Sequence, residues 1–444
     1  MKLSINIKKL IKNPLAKATT GTAGLKIAFT ASQFLISLML ARILGAGGYG
    51  VYVYAIAWLN LLTVFALFGA DKLILREVSV YVKQAQWSEL SGILCWGALF
   101  VLCISAGLGG MAALVAWGSS SDGNHMLVTA VSIAMLALPL TALGRLRQAA
   151  MQGLDHVVIG QIPENLIHPV IFMCLIVVLW AMFGSGLMNA VDILKVYIIA
   201  LSVTFLIGAI QFAKKIPGPV SEVNPIYHFG EWFRSAMPMM LVSGMSIINA
   251  RIDTILLGAI KGATAAGIYV VAARGAELIV FVLVAVNIAV APTFAALYAA
   301  NEMRRLQKVV SNSTRIMLLA AIPVAAGLIL FGSWFLWIFG SEFMAGKNAL
   351  TILSIGQVFN VAMGLSGILL IMSRHTKQAA FGVGVSMALN VVFNLILIPV
   401  WGVSGAAIAT VISIVASNIL LAILVYKKIG INTTVIGLRI NMSG

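Results

Sequence analysis

Twelve long apolar stretches, parted by short polar segments, run almost the full length of the chain. They fall near residues 21–44, 50–70, 91–117, 126–147, 161–183, 191–213, 235–259, 264–298, 316–339, 348–372, 379–400 and 405–426. A helix needs about 20 apolar residues, each rising ~1.5 Å, to cross ~30 Å of hydrocarbon. Twelve crossings therefore consume nearly all of the sequence and leave no room for a soluble catalytic domain. The pattern predicts an all-α integral membrane protein. The stretch 264–298 exceeds the bilayer thickness, which predicts a tilted helix or one that continues past the membrane, with Pro292 as the place to bend.

Composition and charge sharpen this picture. Of 444 residues, 61% are hydrophobic and 9% charged, against roughly 25% charged in an average soluble domain. Sorted by alternate loops, the positive charges are lopsided. Lys2, Lys8, Lys9, Lys12, Lys17, Lys72, Arg76, Lys83, Arg145, Arg147, Lys214, Lys215, Arg234, Arg304, Arg305, Lys308, Arg315, Arg374, Lys377, Lys427, Lys428 and Arg439 fall on one side. Only Arg42, Lys195, Lys261 and Lys347 fall on the other. Lysine and arginine near span ends are retained in the cytoplasm, so the sorting predicts an even number of spans with both termini cytoplasmic. The net charge of +16 is then mostly topology. Spread over short cytoplasmic segments without a binding domain, it gives no reason to expect a nucleic-acid partner.

The first apolar stretch is too long for a signal-peptide core and is expected to stay as a span. Cys95, Cys103 and Cys174 lie inside predicted spans without metal-like spacing, and His125, His156, His168, His228 and His375 are scattered. No glycine-rich phosphate loop, HExxH or CxxC is present. Neither a cofactor nor a metal is expected.

The two halves resemble each other. Leu44-Gly45 followed by Tyr49-Gly50-Val51-Tyr52-Val53-Tyr54 returns as Leu257-Gly258 followed by Gly267-Ile268-Tyr269-Val270-Val271. The repeat predicts two six-helix bundles of like orientation, 21–213 and 235–426, related by a pseudo-two-fold axis along the membrane normal. A basic segment, 1–20, precedes them, a tail, 427–444, follows, and the Pro-rich linker 214–234 joins them.

Ala41-Arg42-Ile43-Leu44-Gly45 with Tyr49-Gly50-Val51-Tyr52, then Phe68-Gly69-Ala70-Asp71, resembles the opening signature of bacterial polysaccharide flippases, O-antigen type transporters included. These belong to the multidrug, oligosaccharidyl-lipid and polysaccharide exporter superfamily. Asn390 and Asn394 leading into Ile398-Pro399-Val400-Trp401-Gly402-Val403-Ser404-Gly405-Ala406-Ala407 are similar to its closing hairpin, and Pro163-Glu164-Asn165 with His168-Pro169 is a further match. The resemblance implies two bundles around a central cavity, open alternately to each side, that moves a polyprenyl-pyrophosphate-linked oligosaccharide outward. It also implies contact with membrane lipids, and with polysaccharide polymerase machinery as a candidate partner. Arg42, Gly45, Tyr49 and Gly50 form the family-like hairpin, where turn geometry and close helix packing also call for glycine.

Independently of that resemblance, charge inside the membrane marks candidate functional residues. An arginine, lysine or aspartate at the midplane costs about 2.5 to 3.5 kcal/mol on insertion scales. Such residues are expected to face a wet cavity or one another. Arg251 and Asp253 lie in the seventh span, Arg274 and Glu277 in the eighth. Arg251 and Arg274 each lie ~15 Å along a helix from the outer loop between them. A planar guanidinium bonds phosphate oxygens bidentately, so both are candidate ligands of a pyrophosphate. Arg274 and Glu277 are three residues apart and can pair. Asp253 and Glu277 are the acidic candidates for a coupling proton or sodium ion, or else for structural pairing with the arginines. Lys26, Thr30, Gln33 and Ser37 share one helical face of the first span and, with Ser246, are candidate cavity-lining groups or interhelical hydrogen bonders.

Three rivals remain. A cation-coupled multidrug exporter on the same fold is expected to carry an acidic residue in its first span, and residues 21–44 contain none. An unrelated sugar permease would lack the repeated hairpin. A membrane glycosyltransferase or polymerase would need a large outer loop, and the outer loops here are short, so the chain is expected not to be an enzyme.

Overall fold

A computed structural model describes residues 14–118, 125–184, 188–363 and 365–435. Part of the basic segment 1–20, with Lys2, Lys8, Lys9 and Lys12, and part of the tail 427–444, with Arg439, lie outside the described residues.

Among the described residues there is no strand. Ten helical segments among these residues are long and apolar enough to cross a membrane. The first half comprises α1 (Pro14–Leu67), α2 (Ala70–Gln84), α3 (Trp87–Gly118), α4 (His125–Leu136), α5 (Leu138–Gly153), α6 (Val157–Ile162), α7 (His168–Phe183) and α8 (Ala190–Ala213). The second comprises α9 (Phe229–Lys261), α10 (Ala263–Ala299), α11 (Met303–Leu330), α12 (Gly332–Phe339), α13 (Lys347–Met363), α14 (Leu365–Met372) and α15 (Thr376–Ile429). The 54 residues of α1 and of α15 would each span ~80 Å as one straight helix. Both are interrupted by a glycine with non-helical backbone, Gly45 (φ 65°, ψ −178°) and Gly402 (φ 52°, ψ −124°). Around Gly402 the chain doubles back. A Cβ on Gly405 would run into the Leu397 carbonyl, and Asn390 Nδ2 donates to Ser413 Oγ at 3.3 Å, a pair ~34 Å apart on a straight helix. Counting α1 and α15 as two crossings each is consistent with the twelve of the hydropathy pattern.

The eighth stretch is a single helix of 37 residues that continues through Pro292, in keeping with its length in the sequence. One local expectation changes. The loop expected between the second and third spans is the amphipathic α2, bounded by positive φ at Phe68, Gly69 and Ala85. It buries Leu73, Ile74 and Val78 while Lys72 and Arg76 are exposed. Its charges hid it from a search for spans, although the helical spacing of its apolar residues is present in the sequence.

The chain divides into two compact units, Met1–Leu44 with Ala55–Gly244 and Gly45–Tyr54 with Met245–Gly444. In the first, α3 packs along α4 and α5, α2 covers α5, and α8 packs against α4, α5 and α7. Between α6 and α7, Pro163–Ile167 forms one π-turn in which the His168 N–H reaches back to the Pro163 carbonyl. Prolines at 163 and 169 remove two amide donors from this stretch, which favours the wider turn.

In the second unit α10, α11 and α13 pack mutually and α13 lies along α15. The two copies of the repeated hairpin meet here. A Cβ on Gly50 would overlap the Ala263 carbonyl, one on Gly267 would lie 2.9 Å from Gly50 Cα, and one on Gly258 would enter the Tyr54 ring. Hydrogen at these three positions lets the backbones touch. Tyr49 is buried and meets Phe343 edge-on at 6.0 Å. The amide freed where the helix restarts after Gly45 is satisfied by a distant group: Ala46 N–H donates to Glu342 Oε2 at 2.7 Å. This is a charged N-terminal cap supplied from another loop. Glu342→Ala is expected to lower stability by about 1 to 2 kcal/mol, with Glu342→Gln intermediate, read from thermal unfolding of detergent-solubilised protein.

Large apolar side chains point outward along the helices, among them Leu114, Leu319 and Leu330, as lipid-facing surface requires. Exposed Trp117, Trp180, Trp334, Trp337 and Trp401 sit at helix ends beside the loops that the charge sorting assigns to the outer face. Tryptophan favours the membrane interface. Cys95, Cys103 and Cys174 are free thiols on the outer surfaces of helices.

Candidate functional site

The helix break at Gly262 (φ 86°) separates α9 from α10, so Arg251 and Arg274 lie at similar distances from it, ~17 Å along their helices. Both are half-buried, and Ser246 is exposed. Arg274 Nη1 bonds Glu277 Oε2 at 3.1 Å, with the Glu277 side chain 58% exposed. Glu277 is therefore a surface carboxylate held by its helical neighbour.

Asp253 differs. It is 6% exposed, and among the described residues no lysine or arginine comes within ion-pair distance of it. Its Oδ1 accepts from Asn394 Nδ2 at 2.6 Å, and its Oδ2 accepts from Tyr269 Oη at 2.9 Å and from Thr410 Oγ1 at 3.0 Å. Asn394 Nδ2 also lies 2.8 Å from Asn390 Oδ1 and from the Asn390 carbonyl. Four side chains from α10 and both arms of α15 thus surround one carboxylate from α9. Structural pairing of Asp253 with an arginine, one of the sequence expectations, does not occur. Burying a carboxylate without a cation is costly, and neutral donors offset only part of the cost. Such a group favours uptake of a positive charge. Asn394 Oδ1 is itself a buried acceptor with no hydrogen-bond donor.

In the sequence Asp253 was a candidate on charge alone, whereas Asn390 and Asn394 entered only through the closing-hairpin resemblance and Tyr269 through the repeat. Thr410 carried no signal. Asn394 and Thr410 are 141 and 157 residues from Asp253 along the chain, beyond the reach of any spacing rule.

In the first unit the polar stripe of α1 is not uniform. Lys26 and Thr30 are exposed, Gln33 is half-buried and Ser37 buried; the Thr30 hydroxyl is returned to its own helix, on the Lys26 carbonyl at 2.9 Å. Arg42 is exposed and edges an apolar groove of about 490 Å³ formed with Leu38, Met39, Ile43, Val177 and Trp180. Arg145 and Arg147, sorted to the cytoplasmic side at the end of the fourth predicted span, lie inside α5, which continues to Gly153. Arg147 Nη2 bonds both carboxylate oxygens of Glu164 at 2.7 Å, and Arg147 also reaches the Gly160 and Gly208 carbonyls at 3.2 and 3.3 Å. Glu164, near the start of the fifth predicted span, is thus held by an arginine of α5.

A family model described as "Polysaccharide biosynthesis protein" matches residues 17–298, well over half of the chain. The chain belongs to this family. A second model, MatE, matches residues 235–396. Among the curated relatives of this chain, a Haloferax volcanii protein named "Probable low-salt glycan biosynthesis flippase" is 24% identical over 400 residues, 87% of this chain and 78% of that protein. Two solved structures share the fold. An inward-facing multidrug resistance MATE family transporter of the MOP superfamily aligns with a TM-score of 0.70 at 12% identity, over 91% of this chain and 94% of its own. The lipid II flippase MurJ, in an inward closed conformation, aligns with a TM-score of 0.70 at 14% identity, over 92% and 87%. The protein is a multi-pass, all-helical membrane protein with the architecture of that superfamily.

Proposed function

We propose that this protein is a transporter, not an enzyme, that flips a polyprenyl-pyrophosphate-linked oligosaccharide from the cytoplasmic to the outer leaflet of the inner membrane during surface polysaccharide assembly. Both termini are cytoplasmic in this reading. The observation that carries it is the family match over residues 17–298; the distribution of charge supports it. Arginines occur within the spans of both halves, and the first span holds no acidic residue, a polarity suited to an anionic head group and unsuited to a cationic drug. The MatE match favours multidrug export as the second reading, and that same charge pattern weighs against it.

In the proposed cycle Arg251 and Arg274 attract the pyrophosphate, and alternating access carries the glycan across. The apolar groove beside Arg42 suits the prenyl chain. Asp253 takes up a proton or a sodium ion, with Asn394 Oδ1 and Thr410 Oγ1 as neighbouring oxygens, and so couples flipping to an ion gradient.

A deletion strain tests this reading. Loss of surface glycan, with lipid-linked units trapped in the inner leaflet, is expected. Normal glycan and lipid pools with altered drug tolerance would move the assignment to multidrug export. Complementation by Arg251→Ala or by Arg274→Ala is expected to fall about tenfold or more, in line with the loss of a charge-assisted phosphate contact.

A further inference from the structure

Carboxylates are unevenly spread along this chain. In the first half, Asp71, Glu77, Glu89, Asp155, Glu222 and Glu231 stand among the basic residues that the charge sorting gives to one side. After Glu302 the sequence holds a single acidic residue, Glu342, which is committed to the cap on α1. The lysines and arginines of that same side nevertheless continue, from Arg304 to Lys428. Topology does not account for the difference. Orientation is set by lysine and arginine, and acidic residues contribute little to it, so membrane insertion gives no reason to strip carboxylates from one half.

The structure gathers these cations at one end of the second unit. The segment after α15 turns at Gly430 (φ 75°) and is held between α11 and α14. Gln307 of α11 grips one residue of it by both backbone groups: its Nε2 donates to the Asn432 carbonyl and its Oε1 accepts from the Asn432 N–H, each at 2.7 Å. The Ser366 hydroxyl of α14 donates to the Met363 carbonyl at 2.9 Å, so in its 2.7 Å contact with Thr433 the threonine is the donor. Ile431 joins the buried cluster of Leu306, Val310, Leu369 and Leu370. Tyr298, at the end of α10, meets the His375 ring edge-on at 6.4 Å. The start of α11, the turn between α14 and α15 and the last turn of α15 are thereby tied together, with Arg304, Lys308, Arg374, Lys377, Lys427 and Lys428 exposed on them. Among the described residues only Arg305 of these segments has an ion-pair partner, Glu302 at 2.7 Å.

The chemistry of the occupant follows from α11. Its 28 residues measure ~42 Å, more than the ~30 Å of hydrocarbon, and the charged end is the one that projects. Arg304, Lys308, Arg315, Leu319 and Ile322 follow one another at four, seven, four and three residues, which places them on one helical face, and all five are exposed. This face is cationic where the helix leaves the bilayer and apolar where it crosses. A molecule that matches both parts has an anionic head and a hydrocarbon tail.

We infer that this end of the second unit is a docking surface for anionic phospholipids of the cytoplasmic leaflet, with head-group phosphates on Arg304, Lys308 and Arg315 and acyl chains along Leu319 and Ile322. Naming the leaflet rests on the orientation proposed above; the surface itself does not.

The test uses the full-length protein in neutral detergent, with lipid binding titrated by native mass spectrometry for phosphatidylglycerol and phosphatidylcholine of equal chain length. The anionic lipid is expected to bind at least about tenfold more tightly than the zwitterionic one. Arg304→Gln, Lys308→Gln and Arg315→Gln together are expected to weaken phosphatidylglycerol about a hundredfold, the combined effect of three cations near an anionic surface. Lys83→Gln, Lys214→Gln and Lys215→Gln, which remove three exposed lysines from the first unit, are expected to leave it unaltered. Should the first triple variant not accumulate as folded protein, Arg374→Gln with Lys377→Gln takes its place, with a loss of about thirtyfold expected. Equal binding of the two lipids overturns the surface, and so does an equal loss in both triple variants, which would reduce the attraction to net charge. Binding of polyglutamate in preference to phosphatidylglycerol also overturns it, in favour of an acidic protein partner. Detergent removes sidedness, so neither a reversed orientation nor normal glycan pools in the deletion strain changes these outcomes, and the two proposals fail separately.

Discussion

Asp253→Asn is expected to reduce surface glycan to the level of the deletion strain while the protein still accumulates, folded, in the membrane. The substitution is nearly isosteric, and the surrounding hydroxyls can adapt, because either of Tyr269 Oη and Thr410 Oγ1 can be the donor in the 2.9 Å contact between them. What is removed is the negative charge. A purely structural role predicts a lower thermal midpoint with transport intact; a coupling role predicts an unchanged midpoint with gradient-driven transport lost. In proteoliposomes, stimulation of flipping by a pH gradient or by a sodium gradient identifies the ion, and that stimulation is expected to vanish in Asp253→Asn. Wild-type stimulation in the variant would remove Asp253 from the coupling mechanism. Thr410→Val and Tyr269→Phe each withdraw one hydroxyl from the cage and are expected to act in the same direction, more weakly.

The second large effect is on stability. Arg147→Met leaves Glu164 within the first unit without its cationic partner, the side chains being 5% and 21% exposed in the pair. Breaking a buried ion pair by removing one partner costs about 3 to 5 kcal/mol, whereas replacing both partners by apolar groups is often neutral. Arg147→Met is therefore expected to deplete folded protein sharply, and Arg147→Met combined with Glu164→Leu to recover most of it, as measured by monodisperse yield and thermal midpoint in detergent. Failure of the double substitution to recover would show that the Gly160 and Gly208 carbonyls depend on the guanidinium as much as Glu164 does. The same pair explains why Gly208 is small, since a Cβ there would come 2.7 Å from the Arg147 guanidinium.

Much of the architecture was legible in the sequence because hydrocarbon imposes a simple rule: every crossing must be apolar and of a set length. That rule found the membrane spans and, through Gly45, Gly50, Gly258 and Gly267, the repeated hairpin whose copies touch in the second unit. It was silent on what the charges near span ends do. Arg145 and Arg147 were sorted to the cytoplasmic end of the fourth span, and nothing in that sorting marked Arg147 as the partner of Glu164. The amphipathic α2 was lost because its charges broke the apolar run. The Asp253 cage was half legible: the carboxylate announced itself by its cost in lipid, but its partners did not. Asparagine, threonine and tyrosine are tolerated in spans for many reasons, so nothing local singles out those that converge on one carboxylate.

The cap on helix α1 also bears on how the protein is made. Ala46 and Glu342 are 296 residues apart in sequence, so at about 5 to 20 residues per second the acceptor emerges roughly 15 to 60 s after the amide it will satisfy. During that interval the first hairpin waits in the bilayer with its turn unfinished and must rely on water, lipid head groups or the insertion machinery. A nascent chain stalled or truncated before residue 342 is thus exposed at its N-terminal end to a fault that originates far downstream, which makes the first hairpin a natural point for quality control to inspect.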